Sequence, residues 1–286
     1  MWDGLIKSHQ ADTKLNMDLV VVIVKEIKNI GFYKQLFGEE KLLNGTDLAA
    51  IDYLLKHFDA IETERTKNNS FETSIHNLDY IGTEITNALQ QNGTLILRET
   101  PLEYQKKVLA LNKELFSREK GNSNAIKNYF SLLKTIADKS DFEKKYIEEY
   151  DAFFKESFGA KMSIIESLDA LFTNKGKSYQ GYYPESWTDF KNYFSNLSNE
   201  VAWYVVTKSR NPESIRKAIK WSESSLVIEK DNPYYLDTLA QLYYKNGEKE
   251  RAIATQEQAL KFIESIDEET KLDLQEVLRK MKDGTY

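Results

Sequence analysis

Cysteine is absent from the 286-residue sequence, which excludes disulfides, thiolate zinc sites, iron–sulfur ligation and thiol redox chemistry within this chain. Long aliphatic runs are missing too. The one strong run, Leu19 to Val24, is six residues, against the roughly 20 that a membrane-spanning helix needs, so no membrane insertion is expected. There is no excess of positive charge: 45 acidic against 39 basic residues leave a net charge of -6, the wrong sign for tracking a phosphate backbone. Nucleic acid is therefore not an expected partner. The three histidines, His9, His57 and His76, lie far apart, and none completes the Glu-x-x-His pattern of di-iron bundles. Glu72 and His76, four apart, read as a solvated intrahelical pair. No glycine-rich phosphate loop, G-x-S-x-G elbow or zinc-protease motif occurs. No catalytic, metal-binding or cofactor-binding residue is nominated, no cofactor is implied, and no enzymatic activity is expected of this chain. The opening M-W-D-G-L-I-K-S-H-Q lacks a basic segment, an apolar stretch and a cleavage site. A cytoplasmic location follows unless a leader was removed, in which case an exported or periplasmic one does.

With 41% hydrophobic and 12% aromatic residues, the chain has enough apolar material for one elongated helical array or two compact domains. Only four prolines punctuate it, and each suits the first position of a helix, where a missing N–H is unpaired anyway. Thr100-Pro101-Leu102-Glu103 reads as a capping box, with Thr100 as N-cap and Glu103 reaching back. Asn211-Pro212-Glu213 and Asn232-Pro233 place a capping side chain before proline, and Pro184-Glu185-Ser186 follows a turn at Gly181. Between these marks apolar residues recur at three and four, the spacing of one helical face. Leu54, Phe58 and Ile61 predict one helix; Leu78, Ile81, Ile85 and Leu89 predict the next, ended by Asn92-Gly93. Tyr104, Val108, Leu111 and Leu115 follow, stopping near Gly121, then Ile126 to Ile136, Phe142 to Phe154, and Met162 to Phe172. Leu19 to Val24 suits a buried strand as well as a helix, but Val20, Val24 and Ile27 continue in helical register, with Gly31 as the cap. The expectation is an all-α protein of about a dozen helices.

Self-similarity at a fixed period decides the architecture. Ala218 and Ala252 stand 34 residues apart, as do Ser225 and Ala259, Val205 and Leu239, and Val206 and Ala240. The unit from Pro233 to Ile266 resembles the tetratricopeptide repeat family, with Leu239-Ala240 and Tyr243 in its first helix, Gly247 in the turn, and Ala252 and Ala259 in its second. Small residues at these positions let two helices approach closely, and large ones fill the gaps around them. Departures are Leu236 in place of tryptophan, Gln256 in place of an aromatic and Glu264 in place of proline. The unit from Asn199 to Asn232 is a looser copy, its turn glycine replaced by Asn211-Pro212-Glu213. Asp267-Glu268-Glu269 then opens a last helix closed by Lys280, Lys282 and Gly284, with Leu274, Val277, Leu278 and Met281 on one face. Such a helix suits the end of a stacked array. The expected fold is a helical array of antiparallel helix pairs ending in an α-solenoid. Residues 1–195 form a helical region of no recognised family, and residues 196–286 hold the repeats and the capping helix.

In the family, the first helix of each repeat lines a groove. The resemblance therefore implies a partner-binding set of Trp203, Thr207 and Arg210 from one unit, with Tyr234, Asp237, Gln241, Tyr244 and Lys245 from the other. The lysine and asparagine clamp by which some members grip a peptide carboxylate is not matched, because Trp203 and Asp237 hold its lysine position and Thr207 and Gln241 its first asparagine position. Asn199 to Trp203 and Tyr235 to Thr238 are similar to phrases in the helical tail of exported bacterial thioredoxin-like proteins. Without Cys-x-x-Cys no redox role carries over. The expected function is a non-enzymatic adaptor or scaffold that binds a protein or peptide. The alternatives are an accessory part of an exported thioredoxin-like enzyme whose catalytic domain lies outside this chain, and a ligand-binding bundle in the N-terminal helices. The basic residues Lys208, Arg210, Arg216, Lys217 and Lys220 read as a helix surface, and the aromatic surplus as core filling.

Overall fold

The aliphatic run resolves as a helix: Leu19, Val20, Ile23, Val24, Ile27 and Ile30 are all buried on one side of α2 (Met17–Gly31), a stripe that β pairing would have split between two faces. The computed structural model describes residues 2–9, 14–39, 41–67, 80–96, 100–119, 121–139, 143–159, 162–174 and 186–286. Among them are fifteen α-helices, one 3-10 helix and no strand, so the chain is all-α. The chain divides into two compact units, Met1–Phe142 with Thr173–Pro184, and Glu143–Phe172 with Glu185–Tyr286. Residue 195 falls inside a continuous helix of the second.

In the first unit α1 (Trp2–His9) lies against α4 (Gly45–Lys56), and the Trp2 indole N–H donates to Asp47 Oδ1 at 3.2 Å. Asp47 is fully buried because it also closes a capping box with Asn44 at the start of α4. Next come α3 (Tyr33–Phe37), α5 (Phe58–Lys67) and α6 (Ile81–Ile96). α2 packs on α6, on which Ile81, Ile85, Ala88 and Leu89 are buried. α7 (Leu102–Arg118) and α8 (Ser123–Lys139) pair, with Phe116 stacked on Tyr129 at 5.1 Å.

Leu54, Phe58 and Ile61 do not share a helix: the backbone breaks at His57 (φ -102, ψ 10), yet all three stay in the core. Gly31 is the last helical residue and not a cap; a Cβ there would stand 2.9 Å from Asn87 Cβ, so glycine is needed for close approach of α2 to α6. Asn92-Gly93 does not end α6, which runs on to Ile96, since an interior glycine costs only about 1 kcal/mol. Pro101 is itself the N-cap of α7 and no side chain caps that helix. Gln105 bonds Thr100, its Nε2 donating to the Thr100 carbonyl at 2.9 Å, while Glu103 takes Lys106. The helix after Pro184 begins at Trp187 with Ser186 as its N-cap. Glu72, His76, Leu78, Phe142, Gly181 and Pro184 lie outside the described residues.

The second unit holds α9 (Glu143–Phe158), α10 (Ile164–Asn174, its last two residues assigned to the first unit), α11 (Trp187–Lys208), α12 (Pro212–Ile228), α13 (Pro233–Lys245), α14 (Lys249–Ala259), the 3-10 helix Leu260–Ser265 and α15 (Glu268–Asp283). Consecutive helices from α11 to α15 pack on one another, and α11 also meets α13. Ala202, Ala218, Ala240, Ala252 and Ala259 have no exposed surface, which lets those backbones come close. The aromatic surplus fills the space around α9. Trp221 lies edge-on to Tyr150 at 5.1 Å, the Tyr150 and Ser198 hydroxyls share a 2.6 Å hydrogen bond, and Phe153 stacks on Phe194. Burial drives the Tyr150 phenol far above its ordinary pKa, so that hydroxyl is a fixed neutral strut.

Candidate partner-binding face

Capping chemistry sets α13, which carries five of the predicted residues. Asn232 accepts from the backbone N–H of Tyr234 and Tyr235 at 3.0 and 3.3 Å, and Pro233 occupies the first helical position. At the other end Gly247 adopts φ +87. The Glu248 N–H then reaches the Tyr243 carbonyl at 2.9 Å and the Gly247 N–H reaches Tyr244 at 3.0 Å, satisfying carbonyls that a helix end leaves open. Asn211 caps α12 in the same way as Asn232 caps α13.

On α11, Trp203 and Thr207 are exposed, Trp203 by 42%, and Arg210 is exposed in the turn that follows α11. Thr207 donates back to the Trp203 carbonyl at 3.2 Å. On α13, Tyr234 is 46% exposed, Tyr244 is half-buried, and Lys245 is exposed. Lys245 ties the two helices: its ammonium donates to the Val206 carbonyl at 2.6 Å, placing a cation on an unpaired carbonyl at the negative end of α11. Partial burial, with Arg210 nearby, pulls the Lys245 pKa down.

Asp237 and Gln241 are not surface residues. They are 8% and 5% exposed, and they anchor a polar network. Gln241 Nε2 donates to Asp237 Oδ2 at 2.7 Å. Gln256 Nε2 donates to Asp237 Oδ1 at 2.7 Å and to the Leu274 carbonyl at 3.1 Å. The Tyr286 hydroxyl donates to Gln241 Oε1, and its ring meets Tyr244 edge-on at 5.1 Å. Burial pushes the Asp237 carboxyl up to about 6; the two glutamine amides oppose that shift and the Asp273 charge adds to it. The Tyr286 phenol is raised to about 12 by burial and by the Asp237 charge.

Sequence reasoning missed Gln256 and Tyr286 as members of this cluster. The signal for Gln256 was present: it stands where the resemblance calls for an aromatic, Asp237 stands where some members carry a clamp lysine, and the two pair with each other. A buried carboxylate on α13 needs a donor, and the position opposite on α14 supplies an amide where the family places a ring. Tyr286 carried no such signal, since its placement depends on how α15 ends. In the basic cluster, Lys217 is held by Asp151 at 3.1 Å and Glu213 at 2.9 Å. Among the described residues no three His, Asp or Glu side chains converge as metal ligands would, and no helix is long and apolar enough to cross a membrane. Comparison with protein-family models and with curated proteins finds no match to this chain.

Proposed function

We propose that this chain is a non-enzymatic adaptor or scaffold that binds a protein or peptide across the face shared by α11 and α13, residues 199–266 acting as a tetratricopeptide-type repeat pair and α15 as its cap. The observation that carries this reading is the exposure of Trp203 and Tyr234, 42% and 46%, on two successive units whose Tyr204, Trp221, Tyr235 and Tyr243 are buried. Large amphipathic rings held in water by well-packed helices are favoured anchors for a partner. Support for the repeat comes from the buried alanines at the family's small positions and from the left-handed Gly247 in its turn.

A photo-crosslinking phenylalanine analogue tests the proposal when placed at Trp203 and, as control, at exposed Lys220 on α12. Irradiation in lysate of the source organism is expected to trap one discrete product at 203 and none at 220. Adducts at neither position, or equally at both, would contradict it. A second reading, the accessory part of an exported thioredoxin-like enzyme, rests on the phrases at Asn199 to Trp203 and Tyr235 to Thr238. It requires a Cys-x-x-Cys segment encoded upstream in the same reading frame, and a genomic sequence without one would end it.

A further inference from the structure

We infer that Gln241 and Tyr244 of α13 form a subsite for a tyrosine side chain, and that this chain's own Tyr286 fills it, so that a partner engages this end of the face by displacing Tyr286. The inference rests on the proposed reading of α11 and α13 as a partner surface.

Three features converge on it. Gly284 takes φ +70, and the N–H groups of Thr285 and Tyr286 both return to the Lys280 carbonyl, at 2.9 and 3.2 Å. The chain is thereby reversed at the end of α15 and Tyr286 is carried back to α13. The acceptor it meets is held in one orientation: Gln241 has its Nε2 fixed on Asp237 and Asp237 is fixed in turn by Gln256, which leaves Gln241 Oε1 aimed at the incoming hydroxyl. A phenylalanine would leave that oxygen without a donor, so the subsite selects a phenol. Finally, the contact in cis is small, one hydrogen bond and one edge-on ring pair with exposed Thr285 beside it. Such a contact shifts an equilibrium by roughly tenfold to a hundredfold, enough to gate a partner and weak enough to be displaced.

The test uses the full ¹⁵N-labelled chain as wild type, Tyr286→Ala and Tyr286→Phe, each checked by circular dichroism, and the probe N-acetyl-Gly-Thr-Tyr-amide added to about 10 mM, the range of effective concentrations for short tethers. In Tyr286→Ala the side-chain amide of Gln241 and the backbone of α13 are expected to shift on titration. Wild type should respond at least about tenfold more weakly because the tethered tyrosine competes, with Tyr286→Phe in between. The same peptide ending in phenylalanine should leave the Gln241 amide unmoved. Equal responses from wild type and Tyr286→Ala, no response from Tyr286→Ala, or equal binding of the phenylalanine peptide would overturn the inference. Peptide binding together with failed crosslinking at 203 would remove the partner-face reading and keep the subsite; the reverse pattern would do the opposite.

Discussion

Asp237 is a carboxylate in the wrong place by composition and in the right one by pairing. Its pKa is raised from 3.8 to about 6 by burial, so the folded state takes up a proton before the unfolded chain does. The sign follows from linkage. Above pH 6 the carboxylate is charged in both states and the full cost of burying it applies. As the pH falls through 6 the native state is relieved, and the gain is complete below about 3.8. The gain is on the order of 3 kcal/mol. Against Asp237→Asn, wild type should therefore gain stability between pH 7 and pH 4 in urea unfolding followed by tryptophan fluorescence; a constant difference would mean that the carboxyl is not desolvated. Trp221 on α12 and Trp203 on α11 give a second contrast. Trp221→Ala removes a side chain that is 1% exposed and should cost about 3–5 kcal/mol, whereas Trp203→Ala should stay within about 0.5 kcal/mol in the same assay. The resemblance nominated Trp203 as a groove residue and said nothing of Trp221. It could not show that Asp237 and Gln241 on α13 would be buried, because the groups they meet, Gln256 on α14 and Tyr286 beyond α15, come together only in the fold.

Helix ends were legible where a side chain announces them. Asn211, Asn232, Asp267 and Gly284 cap as their types demand, and α2 is a helix because its stripe runs at three and four. Glycines misled where packing, not turning, is their reason. Gly31 looked like a cap and is a contact point with α6, so Gly31→Ala should cost about 1–3 kcal/mol through overpacking against Asn87, read as a lowered urea midpoint. Gly247 is the opposite case: a Cβ there meets nothing within 4 Å, but φ is +87, so Gly247→Ala should cost about 1–2 kcal/mol from backbone strain alone. A negligible effect of Gly31→Ala would mean that α2 and α6 pack more loosely than described. The break at His57 was not legible, because the apolar spacing of Leu54, Phe58 and Ile61 runs unbroken across it.

For the chain as a whole, the all-α class was readable from periodicity and prolines; that α9 and most of α10 group with α11 to α15 in one unit, through contacts such as Tyr146 with Tyr204, Tyr150 with Trp221 and Phe153 with Phe194, is encoded in no local pattern. The same unit presents Trp203 and Tyr234 to solvent from two helices that are tied together by Lys245 and Val206. The decisive measurement is the dissociation constant of the protein trapped at position 203, determined by calorimetry with wild type and with the Trp203→Ala, Tyr234→Ala double variant at matched helicity. Two anchors at the centre of an interface predict a loss of at least about a hundredfold; an unchanged constant would place the binding site elsewhere and contradict the proposed face.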